Sequence, residues 1–227
     1  MEDFIIIMRI AYQKLTQSLR NGELKSGSLL SIPMLAEQFG LSLAPVRDAV
    51  KRAETVGLIE MLPKRGFMVM EGSPERVREC LSLRALFDIE GARKIIDTAD
   101  PTSLNILRRD HENLRDMAIQ GLTPDIQSRA IKTDLSLHDA LAAALDSELA
   151  MQLYDDNRNR IAIIQNRRAF LAARVVSAMD EHLSIMDAIE QGDAEMAASQ
   201  IRYHLSKTLE WWGVDQHFSP LVEEHSK

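Results

Sequence analysis

Asp134 and His138 stand four residues apart, so on a helix both side chains leave one face a single turn apart. They interrupt an otherwise apolar stripe of Ile131, Leu141 and Leu145. Two further histidines sit on stripes of the same kind: His182 with Ile185, Met186 and Ile189, and His204 with Ile201, Thr208 and Trp211. One imidazole on such a stripe is ordinarily a hydrogen-bonded core residue. Three, with a carboxylate one turn from one of them, are different, because burying all four without partners is costly. An Asp134, His138, His182, His204 set suits one divalent metal per chain, and imidazole with carboxylate fits Zn²⁺, Ni²⁺, Fe²⁺ or Mn²⁺ alike.

Arg84 and Asp88 share another inward stripe, Val77, Leu81, Arg84, Asp88, Gly91, Ile95. A guanidinium there can clamp a carboxylate bidentately. The competing reading is an Arg84–Asp88 ion pair within one helix. Arg129, Arg168, Arg174 and Asn166 are additional inward polar candidates. The same ligands could instead activate a water for hydrolysis. Two features argue against a metalloenzyme of hydrolase type. Glu181 points about 100° away from His182 on a helix, which is poor placement for a general base. Four protein ligands also leave fewer open positions than the three usual in catalytic zinc sites. A third alternative is a purely structural metal, which predicts no response to a bound ligand.

The elements that must hold these residues are helical. From residue 73 onward six helices are predicted, over about 73–99, 101–120, 124–145, 148–171, 174–190 and 194–212. Their boundaries fall at Ser73-Pro74, Asp100-Pro101, Thr123-Pro124 and Gly192-Asp193. The first 72 residues read differently. Helices are expected over 4–21, 31–39 and 42–56, the last capped by Ser42, with β-runs Leu58–Leu62 and Phe67–Met70 flanking Pro63-Lys64-Arg65-Gly66.

Composition agrees with this mainly α reading. The chain has 227 residues, 45% hydrophobic and only 5% aromatic, enough for two domains. The single Cys80 excludes a disulfide framework. No apolar run is long enough for a membrane span or a secretory signal, so a cytoplasmic protein is expected. Charge is uneven: residues 1–70 carry nine Lys/Arg against seven Asp/Glu, whereas the rest carry 18 against 27. A polyanion is the natural partner of the first segment.

Helix, short helix, third helix and hairpin, in that order, make a winged helix-turn-helix. Its third helix enters the major groove of a double-stranded operator while the hairpin wing follows the neighbouring backbone. Ser42 and Ala44 at the start of that helix, Arg47 and Lys51 one turn apart on it, and Lys64, Arg65 and Gly66 at the wing tip are the predicted DNA contacts. Glycine at 66 would permit close backbone approach.

The series Gly22-x-Leu24, Gly27-x-x-Leu30, Leu35-Ala36-x-x-Phe39-Gly40-Leu41-Ser42, Pro45-Val46-Arg47-Asp48-Ala49, Gly57-Leu58-Ile59 and Pro63-x-Arg65-Gly66-Phe67 resembles the DNA-binding domain of the GntR superfamily. Departures are Ser26-Gly27 for Pro-Gly, Leu43 for an arginine, and Pro33 at a frequently basic position. Downstream, Asp134-x3-His138, Glu181-His182 and His204-Leu205 resemble the FCD effector domain of FadR-type members, and Leu83-Arg84-Ala85-Leu86-Phe87-Asp88 matches its Leu-Arg-x-x-Leu-Glu pattern. The resemblance implies a winged helix over 1–72 and an antiparallel bundle of six or seven helices over 73–227 that binds metal and effector. It also implies a homodimer on a two-fold symmetric operator, with a small carboxylate or sugar acid as effector.

Overall fold

The computed structural model of the chain describes residues 2–98, 104–121, 123–167 and 172–214. Among them the chain forms two compact units, Met1–Ser73 with Ser147–Ala169, and Pro74–Asp146 with Phe170–Lys227.

The first unit opens with α1 (Glu2–Arg20), which buries Ala11, Leu15 and Leu19 against α3. Strand β1 (Leu29–Leu30) leads to α2 (Ile32–Phe39), whose N-cap Ser31 accepts a hydrogen bond from the Met34 amide and whose Pro33 occupies the first turn. Gly40 ends α2 at φ 64°, a left-handed C-cap that glycine adopts without strain. Helix α3 (Leu43–Thr55) buries Val46, Ala49, Val50 and Ala53. Ser42 precedes it in the N-cap position, but its side chain makes no capping hydrogen bond, contrary to expectation.

Strands β2 (Ile59–Leu62) and β3 (Gly66–Val69) form the expected antiparallel hairpin, with Ile59 opposite Val69 and Leu62 opposite Gly66. The sequence reading missed β1, which pairs antiparallel with β3 through Leu29–Met68 and Leu30–Phe67 and gives a sheet of order β1-β3-β2. Two residues are too few to show an alternating pattern.

The second unit contains α4 (Pro74–Thr98), α5 (Leu104–Gln120), α6 (Pro124–Ala143), α8 (Ala172–Glu190) and α9 (Ala194–Trp211). Thr123 and Asp193 cap α6 and α9 by accepting from the amides of Ile126 and Met196. The start predicted at Asp100-Pro101 lies outside the described residues. Leu81, Leu104, Leu114, Leu137, Leu141 and Met186 are fully buried.

Helix α7 (Glu148–Gln165) departs from the expected single bundle over 73–227, because it packs in the first unit, against α1. The reason is hydrogen bonding at helix ends, where four carbonyls lack intrahelical partners. Asn166 Nδ2 donates to the carbonyls of Leu19 (3.2 Å) and Arg20 (2.7 Å) at the C-terminus of α1. Arg160 Nη2 donates to the Val56 carbonyl at the C-cap of α3 (2.6 Å). Hydrophobic periodicity in α7 does not encode these partners.

Candidate functional site

In the second unit α6, α8 and α9 bring Asp134, His138, His182 and His204 together, one ligand atom from each lying within 4.8 Å of all the others. His138 and His182 are fully buried, and His204 is 2% exposed. Each imidazole is oriented by a second group at its Nδ1. His138 Nδ1–H donates to Asp88 Oδ2 (2.8 Å), and His204 Nδ1–H donates to Glu181 Oε2 (2.7 Å). His182 Nδ1 lies 3.1 Å from Nε2 of His111, on α5.

With Nδ1 protonated, a neutral imidazole presents an unprotonated Nε2. His138 Nε2 is buried with no hydrogen-bond partner. The Nε2 atoms of His182 and His204 face each other at 3.3 Å, and Asp134 Oδ1 lies 3.8 Å from His182 Nε2. Three nitrogen lone pairs and a carboxylate converge on one point. A divalent cation satisfies all of them, so the donor set fits a metal, supported by the carboxylate–histidine pairs that commonly orient metal ligands.

Electrostatics agree. Burial, reinforced by the neighbouring cations, holds His138 and His182 well below the usual imidazole range and lowers His204, favouring the neutral, ligating form. Burial acts to raise Asp134, but the net shift is downward, with the Arg84 and Arg174 guanidiniums among the opposing charges.

The other predicted residues divide. Arg84 is 3% exposed and points inward as expected, and its Nε has no hydrogen-bond partner. Its closest approach to Asp88, Nε to Oδ2, is 3.7 Å, too long for a hydrogen bond. Asp88, expected with Arg84 at the effector, is hydrogen-bonded to His138 Nδ1, while burial pushes its carboxyl up to about 7. Arg174 is buried but committed, donating to Glu181 Oε1 (2.6 Å) and Thr208 Oγ1 (2.9 Å). Arg129 is exposed, Asn166 serves α1, and Arg168 lies outside the described residues. Trp211, expected on the inward stripe of α9, is 42% exposed. Two residues were missed. Glu181 does turn away from His182, but it turns towards His204. His111, fully buried with Leu104, Leu114 and Ala118 on α5, carried the same signal as the others: an imidazole on an apolar stripe.

Gly91 explains how α4 reaches the centre. A Cβ there would lie 1.9 Å from the Leu141 carbonyl oxygen, so only glycine lets α4 cross α6 this closely. Asp88 and His138 each lie three residues before that crossing.

In the first unit Ser42, Ala44, Arg47 and Lys51 are exposed on α3, opposite its buried face, and Lys64 and Arg65 are exposed at the β2–β3 turn. Lys64 itself adopts φ 64° there. Leu43 is 47% exposed at the head of the same helix. Gly66 has φ 109°, and its missing Cβ makes room for the Leu30 carbonyl oxygen, which a side chain would approach to 2.1 Å. Its close backbone approach is to β1.

A winged helix followed by a helical domain with a buried histidine–carboxylate centre defines the class, a DNA-binding transcriptional regulator with a second, helical domain. Residues 8–69 match the model of bacterial regulatory proteins of the gntR family, and residues 79–207 match the FCD domain. The chain belongs to the GntR family of transcriptional regulators, in its FCD-bearing branch.

YdhC of Bacillus subtilis (strain 168), named an uncharacterized HTH-type transcriptional regulator, is 24% identical over 94% of this chain and 91% of its own length. LutR, an HTH-type transcriptional regulator of the same organism, is 25% identical over 83% of this chain and 93% of its own. Among solved structures, Escherichia coli McbR/YncC superposes with a TM-score of 0.76 at 19% identity, covering 91% and 97% of the two chains. A GntR regulator from Rhodococcus sp. RHA1 follows at 0.72 and 19%, covering 92% and 99%. These relatives are regulators, and the metalloenzyme alternative finds no support among them. No helix of the described residues is long and apolar enough to cross a membrane.

Proposed function

We propose that this regulator binds a two-fold symmetric operator as a homodimer, and that a small carboxylate or sugar-acid effector, bound beside a metal in the second unit, controls that binding. The observation that carries the reading is the convergence of the His138, His182 and His204 rings with the Asp134 carboxyl, one ligand atom from each lying within 4.8 Å of the others. Asp134, His138, His182 and His204 hold one divalent ion, which supplies a Lewis-acid anchor for a carboxylate. Arg84 offers the second hold: buried, cationic and with an unpartnered Nε, it is suited to an anion rather than to solvent. Arg47 and Lys51 on α3, with Lys64 and Arg65 on the wing, provide base and phosphate contacts, and Ser42, Ala44 and Gly66 bring the backbone close. The effector acts through its differential affinity for the DNA-competent and DNA-incompetent arrangements.

Native mass spectrometry and metal analysis of the purified protein test this. About one divalent ion per chain is expected, with chelation lowering the melting temperature. His138→Ala should lose the ion and the effector response, yet keep operator binding without effector, because the winged helix folds around its own core. Full metal occupancy in that variant would refute the four-ligand site.

A further inference from the structure

We infer that His111, a residue outside the ligand set, is a positioning residue that locks His182 in the tautomer whose Nε2 is free to ligate. The inference rests on the metal reading above and adds to it the group that decides which face of His182 the centre sees.

His111 Nδ1 lies 2.7 Å from the carbonyl oxygen of Leu107, one turn earlier on α5. A carbonyl only accepts, so the His111 proton sits on Nδ1, and the neutral ring offers a lone pair at Nε2. That lone pair is 3.1 Å from His182 Nδ1 and is satisfied when Nδ1 carries the proton and donates it. His182 Nε2 is thereby left bare and faces His204 Nε2 at 3.3 Å and Asp134 Oδ1 at 3.8 Å.

The lock opposes a specific competitor. Moving the His182 proton to Nε2 would let it donate to His204 Nε2 and relieve the meeting of two lone pairs, but would remove one ligand from the centre. With His111 present, the same move sets two unprotonated nitrogens against each other at 3.1 Å, so the competing tautomer trades one repulsion for another.

His138 and His204 are each oriented by a carboxyl group instead, Asp88 and Glu181. His182 is the ligand whose support is itself a titratable ring held by a main-chain carbonyl. Metal occupancy is thereby tied to the register of α5 at Leu107.

The test uses the full-length, metal-free protein labelled with ¹⁵N-histidine, in which two-bond ¹H–¹⁵N correlations report each ring's tautomer. His182 is expected in the Nδ1–H form in the wild type. In His111→Phe, which keeps an apolar ring but has no acceptor, it should shift to Nε2–H. Zn²⁺ affinity, read by competition with a chromogenic chelator, should fall ten- to a hundredfold in that variant. His111→Gln retains an acceptor and should stay within a few-fold of the wild type.

An Nε2–H His182 in the wild type, or unchanged Zn²⁺ affinity in His111→Phe, would overturn the assignment. The wild-type spectrum decides even if the Phe variant does not fold. A wild type with His182 in the Nδ1–H form that takes up no Zn²⁺ would sink the metal reading while leaving the lock standing.

Discussion

Replacing Gly91 by alanine sets two effects of opposite sign against each other. Alanine is the better helix former, by about 1 kcal/mol inside a helix such as α4. Against this, the new methyl would lie 1.9 Å from the Leu141 carbonyl oxygen, 2.5 Å from its carbon and 3.0 Å from its Cα, whereas ordinary contact begins at 3.4 Å. All three are backbone atoms of α6, so no side chain can rotate aside. Relief requires the two helices to part by the difference between 3.4 and 1.9 Å, which is 1.5 Å.

Overpacking of that kind costs about 1–3 kcal/mol. The shift also pulls Asp88 on α4 from His138 on α6, and a 2.8 Å hydrogen bond stretched by even 1 Å is lost. A buried polar pair broken in this way costs roughly 1–3 kcal/mol more. The clash therefore outweighs propensity, and Gly91→Ala should lower stability by about 1–5 kcal/mol. Urea unfolding of the metal-free protein, followed by far-UV circular dichroism, measures this. Zn²⁺ competition should show weakened binding in the same variant, because His138 loses its orienting partner. A Gly91→Ala protein as stable as the wild type, or stabilised by the propensity difference, would refute the close-crossing argument.

Arg47→Ala should cost about 1–3 kcal/mol in operator affinity if Arg47 makes a bidentate base contact; fluorescence anisotropy measures the loss, and affinity should fall steeply with salt. Arg84→Ala should retain the metal but bind a carboxylate effector at least tenfold more weakly, read by calorimetry with a panel of small carboxylates; equal affinities would leave Arg84 without its assigned role. Metal-free stability should depend on pH. His111, His138, His182 and His204 are held below the ordinary value of 6.5, so their contribution is complete above that pH. It is lost as the pH falls below it, by up to about 1.4 kcal/mol per pH unit for each histidine, because only the unfolded chain takes up the protons. Asp88, raised to about 7, acts in the opposite direction, its contribution being lost as the pH rises from 3.8 towards 7, but it is one group against four. Denaturation from pH 7.5 to 5.5 in the presence of chelator should show the net loss; a flat profile would contradict the neutral, buried state of these rings.

The winged helix could be read from the chain because its signals are local. Apolar spacing marks α1, α2 and α3, Gly40 closes α2, and Pro63-Lys64-Arg65-Gly66 turns the hairpin. The four ligands were legible for a related reason: helical spacing places Asp134 and His138 on one face, and imidazoles on apolar stripes are conspicuous. Strand β1 was not legible, since two residues gain their identity only by pairing with β3.

The roles of Asp88, Glu181 and His111 escaped for the same physical reason. Each is defined by a partner on another helix, His138, His204 and His182 respectively, and no periodicity within one helix states which neighbour it meets. Gly66 and Gly91 show it again: a sequence displays the absence of a side chain, but the carbonyls that need the space, those of Leu30 and Leu141, become neighbours only on folding. Helix α7 is the plainest case. Its apolar spacing makes it a helix anywhere, and its place in the first unit follows from Asn166 and Arg160 reaching carbonyls at the ends of α1 and α3, 104 to 147 residues away in the chain.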